Sequence, residues 1–318
     1  MKEAQDLLIS IFLPDYPEQL RQLKGGEFNF AQYTSAEAAA SVIRSEQVWL
    51  RNSQCMNDYS EIQHGLDCLT AAYGSDDPRN KLKSLLEKVF PGLPKKLEDL
   101  FNGWIPHFQN DTYITCLSEH PTTENQYGRL SMWRAYGGNQ SVAIVLNTEV
   151  FTSETDILHA DIYPVSYLSA EEFNEKFFSV SDRIEKHIDF IAELEEDAVL
   201  NIVFELFRNY AVSIKHPGFA EEREWRVVYM PTFRPSEHVK IEMETINGLP
   251  QEVCKIPLKE FPKEGFNGAS IPRLINRIII GPNDDQIILR KSFIKLLETA
   301  GCKDAYKMVY ASGIPLRT

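Results

Sequence analysis

The sequence predicts an α+β fold, read as one domain over residues 1–318 with a helical insertion at about 170–215. Three observations carry this. Short β-rich stretches and helical stretches are interleaved without regular strand–helix–strand alternation, which argues against a doubly wound parallel sheet. Residues 181–214 repeat apolar side chains at helical spacing and stop before His216-Pro217-Gly218. No internal repeat and no Pro/Gly/Ser-rich linker divides the chain.

The elements follow in order. TSAEAAASVIRSEQ (residues 34–47) reads as a capped helix, with Thr34 or Ser35 as N-cap, a glutamate close behind and an alanine-rich body. VWLRNS is a short strand. NDYSEIQHGLDCLTAAYG is a second helix that starts at Asn57 or Asp58, with Glu61 completing a capping box, and stops at Gly74. Residues 80–103 hold helical pieces broken by Pro91 and Pro94. DTYITCLSE (111–119) and QSVAIVLN (140–147) read as strands on either side of a short helix, RLSMWRAYGG. After the long helical run come strands at 224–230, 238–243, 252–256 and 276–281, a helix in DDQIILRKSFIKLLETAG, and a last strand at 306–310.

Composition narrows the function. The net charge of −13 removes the broad basic surface expected of a general nucleic-acid or membrane-surface binder, while leaving room for a local basic groove. Five scattered cysteines, odd in number and never spaced C-x-x-C, imply a reducing compartment, no disulfide-linked partner and no zinc ribbon. LLISIFL (7–13) is too short to span a bilayer and has no basic start, so the chain is expected to be cytoplasmic. The seven histidines form no H-x-x-x-H pair, and no dedicated metal site is expected.

Three constellations are candidates for chemistry. In EEREWRVV (221–228), a strand of period two puts Glu222, Glu224, Arg226 and Val228 on one face and Arg223, Trp225, Val227 and Tyr229 on the other. A pair of glutamates with an arginine beside them suits stabilisation of a developing cation or removal of a proton; the same residues also suit a charged sheet edge with cross-strand ion pairs. NDYSE (57–61) is a helix N-terminus, a natural place for phosphate as well as a plain cap. In ITCLSEH and SMWRAYGG, Ser118 closes a strand, and Trp133 and Tyr136 lie three apart on one helical face. They can line a nucleotide base or simply pack in the core.

The stretch YTSAEAAASVIRSEQVWLRNSQCMNDYSEIQHG resembles the opening of a large bacterial family, the domain of unknown function twenty-nine seventy-one. CLSEH, SMWRAYGGNQSVAIVLN, EEREWRVVYM, IIIGPN and SGIPLR fit the rest of that pattern in order, from about residue 30 onward. The layout is more distantly similar to ADP-ribosyltransferase folds, whose mainly antiparallel sheets form a cleft for NAD. That resemblance implies NAD as substrate and the carried-over roles that follow. Glu224 would stabilise the oxocarbenium-like transition state, and Glu222 would orient an acceptor. Ser118 would support the site, and Tyr33 would touch the nicotinamide side. On the reading of the residues themselves, Trp133 and Tyr136 would wall the base of that nucleotide. Gln32 stands where a histidine accompanies the tyrosine in those enzymes, and no first-strand arginine is evident. The acceptor would be a protein, a nucleic acid or a small molecule, and the setting phage defence or a toxin. The alternatives are a non-catalytic interaction module and a metal-dependent hydrolase or nuclease using Asp58, Glu61, Glu222 and Glu224.

Overall fold

The structure is a computed structural model and describes every residue except 1, 57–61, 137, 139, 154, 247 and 316–318. In chain order the elements are α1 (Lys2–Phe12), α2 (Tyr16–Gly25), β1 (Asn29–Ser35), α3 (Ala36–Ser45), β2 (Gln47–Asn52), α4 (Gln63–Tyr73), α5 (Leu82–Val89), α6 (Leu93–Asn110), β3 (Tyr113–His120), α7 (Leu130–Tyr136) and β4 (Ser141–Leu146). They continue as β5 (Ala160–Pro164), β6 (Ser166–Tyr167), α8 (Ala170–Lys186), α9 (Ile188–Ala192), α10 (Glu196–Ser213), β7 (Ile214–Lys215) and β8 (Glu224–Tyr229). The chain closes with β9 (Lys240–Ile246), β10 (Leu249–Pro257), α11 (Ile271–Leu274), β11 (Ile275–Ile280), α12 (Gln286–Thr299) and β12 (Val309–Ala311). No helix among the described residues is long and apolar enough to cross a membrane, and the five cysteines are free thiols.

The chain forms two compact units. One gathers Met1–Gln19, Asn52–Thr112 and Tyr163–Ala220, and the other Leu20–Arg51, Tyr113–Ile162 and Glu221–Thr318.

The first unit is mainly helical. The long helix expected over 181–214 is three helices, because the backbone leaves the helical region at His187 and again at Glu195. The second break has an electrostatic reason: it places Glu196 and Asp197 in the first turn of α10, where the N-terminal end of the helix dipole favours acids. Ser169 opens α8 with a full capping box, its hydroxyl accepting from the Glu172 amide and Glu172 accepting from the Ser169 amide. Pro94 lies in the first turn of α6 and so starts that helix instead of breaking it. The capping box expected at Asn57, Asp58 and Glu61 lies outside the described residues. α10 packs on α4 and α6, with Phe101, Phe204 and Phe207 meeting ring to ring. At Gly65 a β-carbon would come within 2.6 Å of the Tyr210 and Ala211 carbonyl oxygens, so only glycine admits this approach of α4 to α10.

The second unit is built on strands. Ten strands join in one mainly antiparallel sheet, in the order β12-β11-β4-β1-β3-β2-β10-β9, with β8 pairing β3 and β5. This differs from the expected pair of sheets flanking a cleft. β3 bonds to β1 through Ser118–His120 and to β8 through Tyr113–Ser118, which ties the strands into one surface; β6 and β7, in the first unit, form a separate parallel pair. β4 is buried on both faces. Val142 and Ile144 pack with α3 and α12 through Ala39, Ile43, Phe293 and Leu297, and Ala143 and Val145 pack with α7 through Met132 and Trp133. α3 starts as expected, with the Ser35 hydroxyl accepting from the Ala38 amide.

Candidate functional site

β-sheet register brings the sequence-predicted residues onto one face. Ala31 lies opposite Ser118, and Ser118 lies opposite Glu224. Directly opposed residues share a face, as do residues two apart on one strand, so Tyr33, Ser118, Glu224 and Arg226 all project to the side that α7 covers. Trp225 projects the other way into a cluster with Phe30, Leu117 and Leu23, and its indole N–H donates to Glu119 Oε1 over 2.9 Å.

The two glutamates do not share a strand face. Glu222 ends a 3-10 helix (Pro217–Glu222), and Arg223 takes a left-handed backbone conformation (φ 43°) before β8 starts at Glu224. The period-two reading fails here because the extended backbone it assumes begins two residues later. Glu224 is 4% exposed, and its Oε1 accepts from Arg226 Nε over 2.9 Å, a buried ion pair. Glu222 is half-buried, and its Oε1 accepts from the Tyr136 hydroxyl over 2.6 Å.

The residue at the centre is Arg129, which the sequence reading missed. Its backbone N–H donates to the Tyr33 hydroxyl over 2.8 Å. One end of its guanidinium donates to Ser118 Oγ (2.7 Å) and to the carbonyls of Glu221 (2.9 Å) and Glu222 (3.1 Å). The other end donates to the Glu119 carbonyl (2.6 Å) and, through Nε and Nη2, to both carboxylate oxygens of Glu124 at 3.1 Å each. Ser118 in turn donates its hydroxyl hydrogen to the Glu222 carbonyl. The five N–H donors of a planar guanidinium are what allow one side chain to serve so many acceptors. One signal in the sequence pointed here. A cation just before a helix opposes the helix dipole, so Arg129 ahead of α7 needs another reason to be there.

Gly128 makes the placement of Arg129 possible. Its φ is 66°, and a β-carbon would lie 2.6 Å from the Trp133 ring, so the chain rests on the indole only because the side chain is absent. The Trp133 indole N–H donates to the Tyr127 carbonyl over 2.8 Å, and its ring meets Tyr33 edge-on with centroids 4.7 Å apart. Trp133 is a core residue here, while Tyr136 is half-buried beside it.

Burial sets the electrostatics. It pushes the Tyr33 hydroxyl pKa up to about 12 and drives the pKa of His120 below the usual histidine value. His120 Nε2 lies 3.2 Å from Asn125 Oδ1, and its Nδ1 lies 3.8 Å from Glu124 Oε2, the oxygen that also meets Arg129 Nη2. Among the described residues no group of three or more His, Cys, Asp or Glu side chains could hold a metal ion. Asp58 and Glu61 lie outside those residues.

These features define a mixed α+β protein whose sheet carries a part-buried, arginine-centred polar cluster next to a glutamate-bearing turn. Residues 132–227 match the family model described as Protein of unknown function (DUF2971). The family resemblance seen in the motifs is shown on this segment, which holds Trp133, Tyr136, Glu222 and Glu224, whereas Tyr33, Ser118 and Arg129 precede it. No curated protein and no solved structure matches the chain.

Proposed function

We propose that this cluster is an ADP-ribosyl-transfer site with NAD as the donor substrate and a protein, nucleic acid or small molecule as the acceptor. The reading rests on one observation: Tyr33, Ser118, Tyr136 and Glu222 meet in a single hydrogen-bonded network around Arg129, with Glu224 directly opposite Ser118. A tyrosine strand, a serine strand and a glutamate-x-glutamate segment in that chain order support it further.

In this reaction the bond between the nicotinamide nitrogen and ribose C1′ breaks, and its electron pair leaves with nicotinamide. A bond from the acceptor nucleophile, or from water, forms at C1′, and the nucleophile's proton passes to a carboxylate or to solvent. Exposure divides the roles. Glu222, half-buried and held by Tyr136, is the carboxylate placed to meet the reacting groups. Glu224, buried on Arg226, sets the field and the strand geometry behind it. Tyr33 and Ser118, 8% and 2% exposed, position their neighbours.

The test is nicotinamide release from NAD, with labelled NAD and cell extract used to look for transfer. Wild type should release nicotinamide slowly without an acceptor, and Glu222→Gln should lower that rate by about 10²–10³, the usual effect of removing one preorganised electrostatic partner. No NAD binding and no nicotinamide from wild type, even with extract, would end this reading. A non-catalytic interaction module would then stand, and the burial of Tyr33, Ser118 and Glu224 favours it.

A further inference from the structure

We infer that Arg129 is a positioning residue that latches the Glu221–Glu222 backbone to β3 and thereby fixes where the Glu222 carboxylate stands. Tyr136 takes the Glu222 carboxylate, while Arg129 takes the main chain through the carbonyls of Glu221 and Glu222, and the Ser118 hydroxyl, itself held by Arg129, donates to the Glu222 carbonyl as well. The main chain needs a holder because Arg223, the next residue, sits in the left-handed region, which a side chain with a β-carbon adopts only where its surroundings enforce it. The enforcement comes from β3. The Glu119 amide donates to the Arg223 carbonyl over 2.9 Å, and Arg129 binds the Glu119 carbonyl.

Arg129 is itself oriented. Glu124 grips its Nε and Nη2 with both oxygens, which fixes the plane of the guanidinium and turns Nη1 toward the turn. Lysine cannot replace this. A single ammonium has no planar fork and cannot hold Glu124 and the two carbonyls together. The position of Glu222 thus depends on Arg129 through the main chain.

The experiment compares wild type with Arg129→Lys in the full chain by amide hydrogen exchange and mass spectrometry. The kinetic arm rests on the proposed NAD reaction; the exchange arm does not. Exchange over residues 221–226 should speed up by about tenfold while residues 275–280 of β11 stay unchanged, as expected for a local opening. Nicotinamide release should lose about 10² in kcat with KM little altered, because misplacing a group by about 1 Å costs that much in rate without removing ground-state contacts. Unchanged exchange at 221–226, or an equal rise in both segments, would overturn the latch whatever the kinetics show. Locally faster exchange with unaltered kcat would overturn the positioning role. If wild type releases no nicotinamide, the NAD reading fails and the exchange result alone decides the latch. Should Arg129→Lys not fold, Glu124→Gln leaves the arginine in place, removes the charge that orients it, and must give the same local exchange pattern.

Discussion

The Tyr136 hydroxyl donates to Glu222 Oε1 across 2.6 Å, joining α7 to the turn that precedes β8. Tyr136→Phe deletes only that donor. Because the pair is partly open to water, the stability change should stay near or below about 1 kcal/mol. Nicotinamide release should fall roughly tenfold, the rate equivalent of about 1.4 kcal/mol. Thermal melting and a rate assay on the same sample separate the two effects, and a mutant that melts normally and works normally would remove Tyr136 from the site.

Glu224 and Glu222 should respond oppositely to the same change. Glu224→Gln leaves the Arg226 guanidinium buried without its carboxylate, and breaking a buried pair from one side costs about 3–5 kcal/mol. Glu222→Gln keeps an acceptor for Tyr136 at the surface and should cost less than about 1 kcal/mol. Urea unfolding of both variants checks this. Equal stability of the two would mean that Arg226 does not depend on Glu224.

Trp225→Ala should lose about 3–5 kcal/mol by opening a cavity among Phe28, Phe30 and Leu117. The indole hydrogen bond to Glu119 goes with it. A variant as stable as wild type in the same unfolding assay would show that this face of β8 is not core.

His120 gives a pH dependence of defined sign. Burial lowers its pKa in the folded protein below the ordinary value of 6.5, so the unfolded chain binds the proton more readily. Its contribution to stability is therefore complete above about pH 6.5 and is lost as pH falls from there through the folded pKa. The charges around it are Glu124, Arg129 and Arg277. His120→Gln should flatten the stability profile between about pH 6.5 and the acid limit of folding, measured by denaturant midpoints at several pH values. An unchanged slope would assign the acid sensitivity to other groups.

Gly128→Ala should destabilise by about 1–3 kcal/mol, since alanine disfavours a φ of 66° and its methyl would press on the Trp133 ring. The shift should be accompanied by altered tryptophan near-ultraviolet dichroism. Identical spectra and melting would mean the chain has room to move away from the indole.

Local physics made much of this legible in the sequence by itself. The cap at Ser35, the α+β mixture, the strands of the second unit other than β1 and β5, the core side of Trp225 and the stop of α4 at Gly74 all follow from patterns within a few residues. Strand and helix motifs single out Ser118, Tyr136, Glu222 and Glu224, and the resemblance to ADP-ribosyltransferase folds adds Tyr33. Tertiary structure decided the rest. The break that makes α8, α9 and α10 out of one apolar run, and the single sheet, depend on pairings distant in sequence. So do the roles of the two glutamates. One left-handed residue, Arg223, turns Glu222 away from the strand, while β3 and Arg226 enclose Glu224. The role of Arg129 was decided only in three dimensions, because its acceptors come from β3, from the chain just before it and from residues some ninety positions later. A hydrogen-bonding fork carries no periodic signal along a sequence.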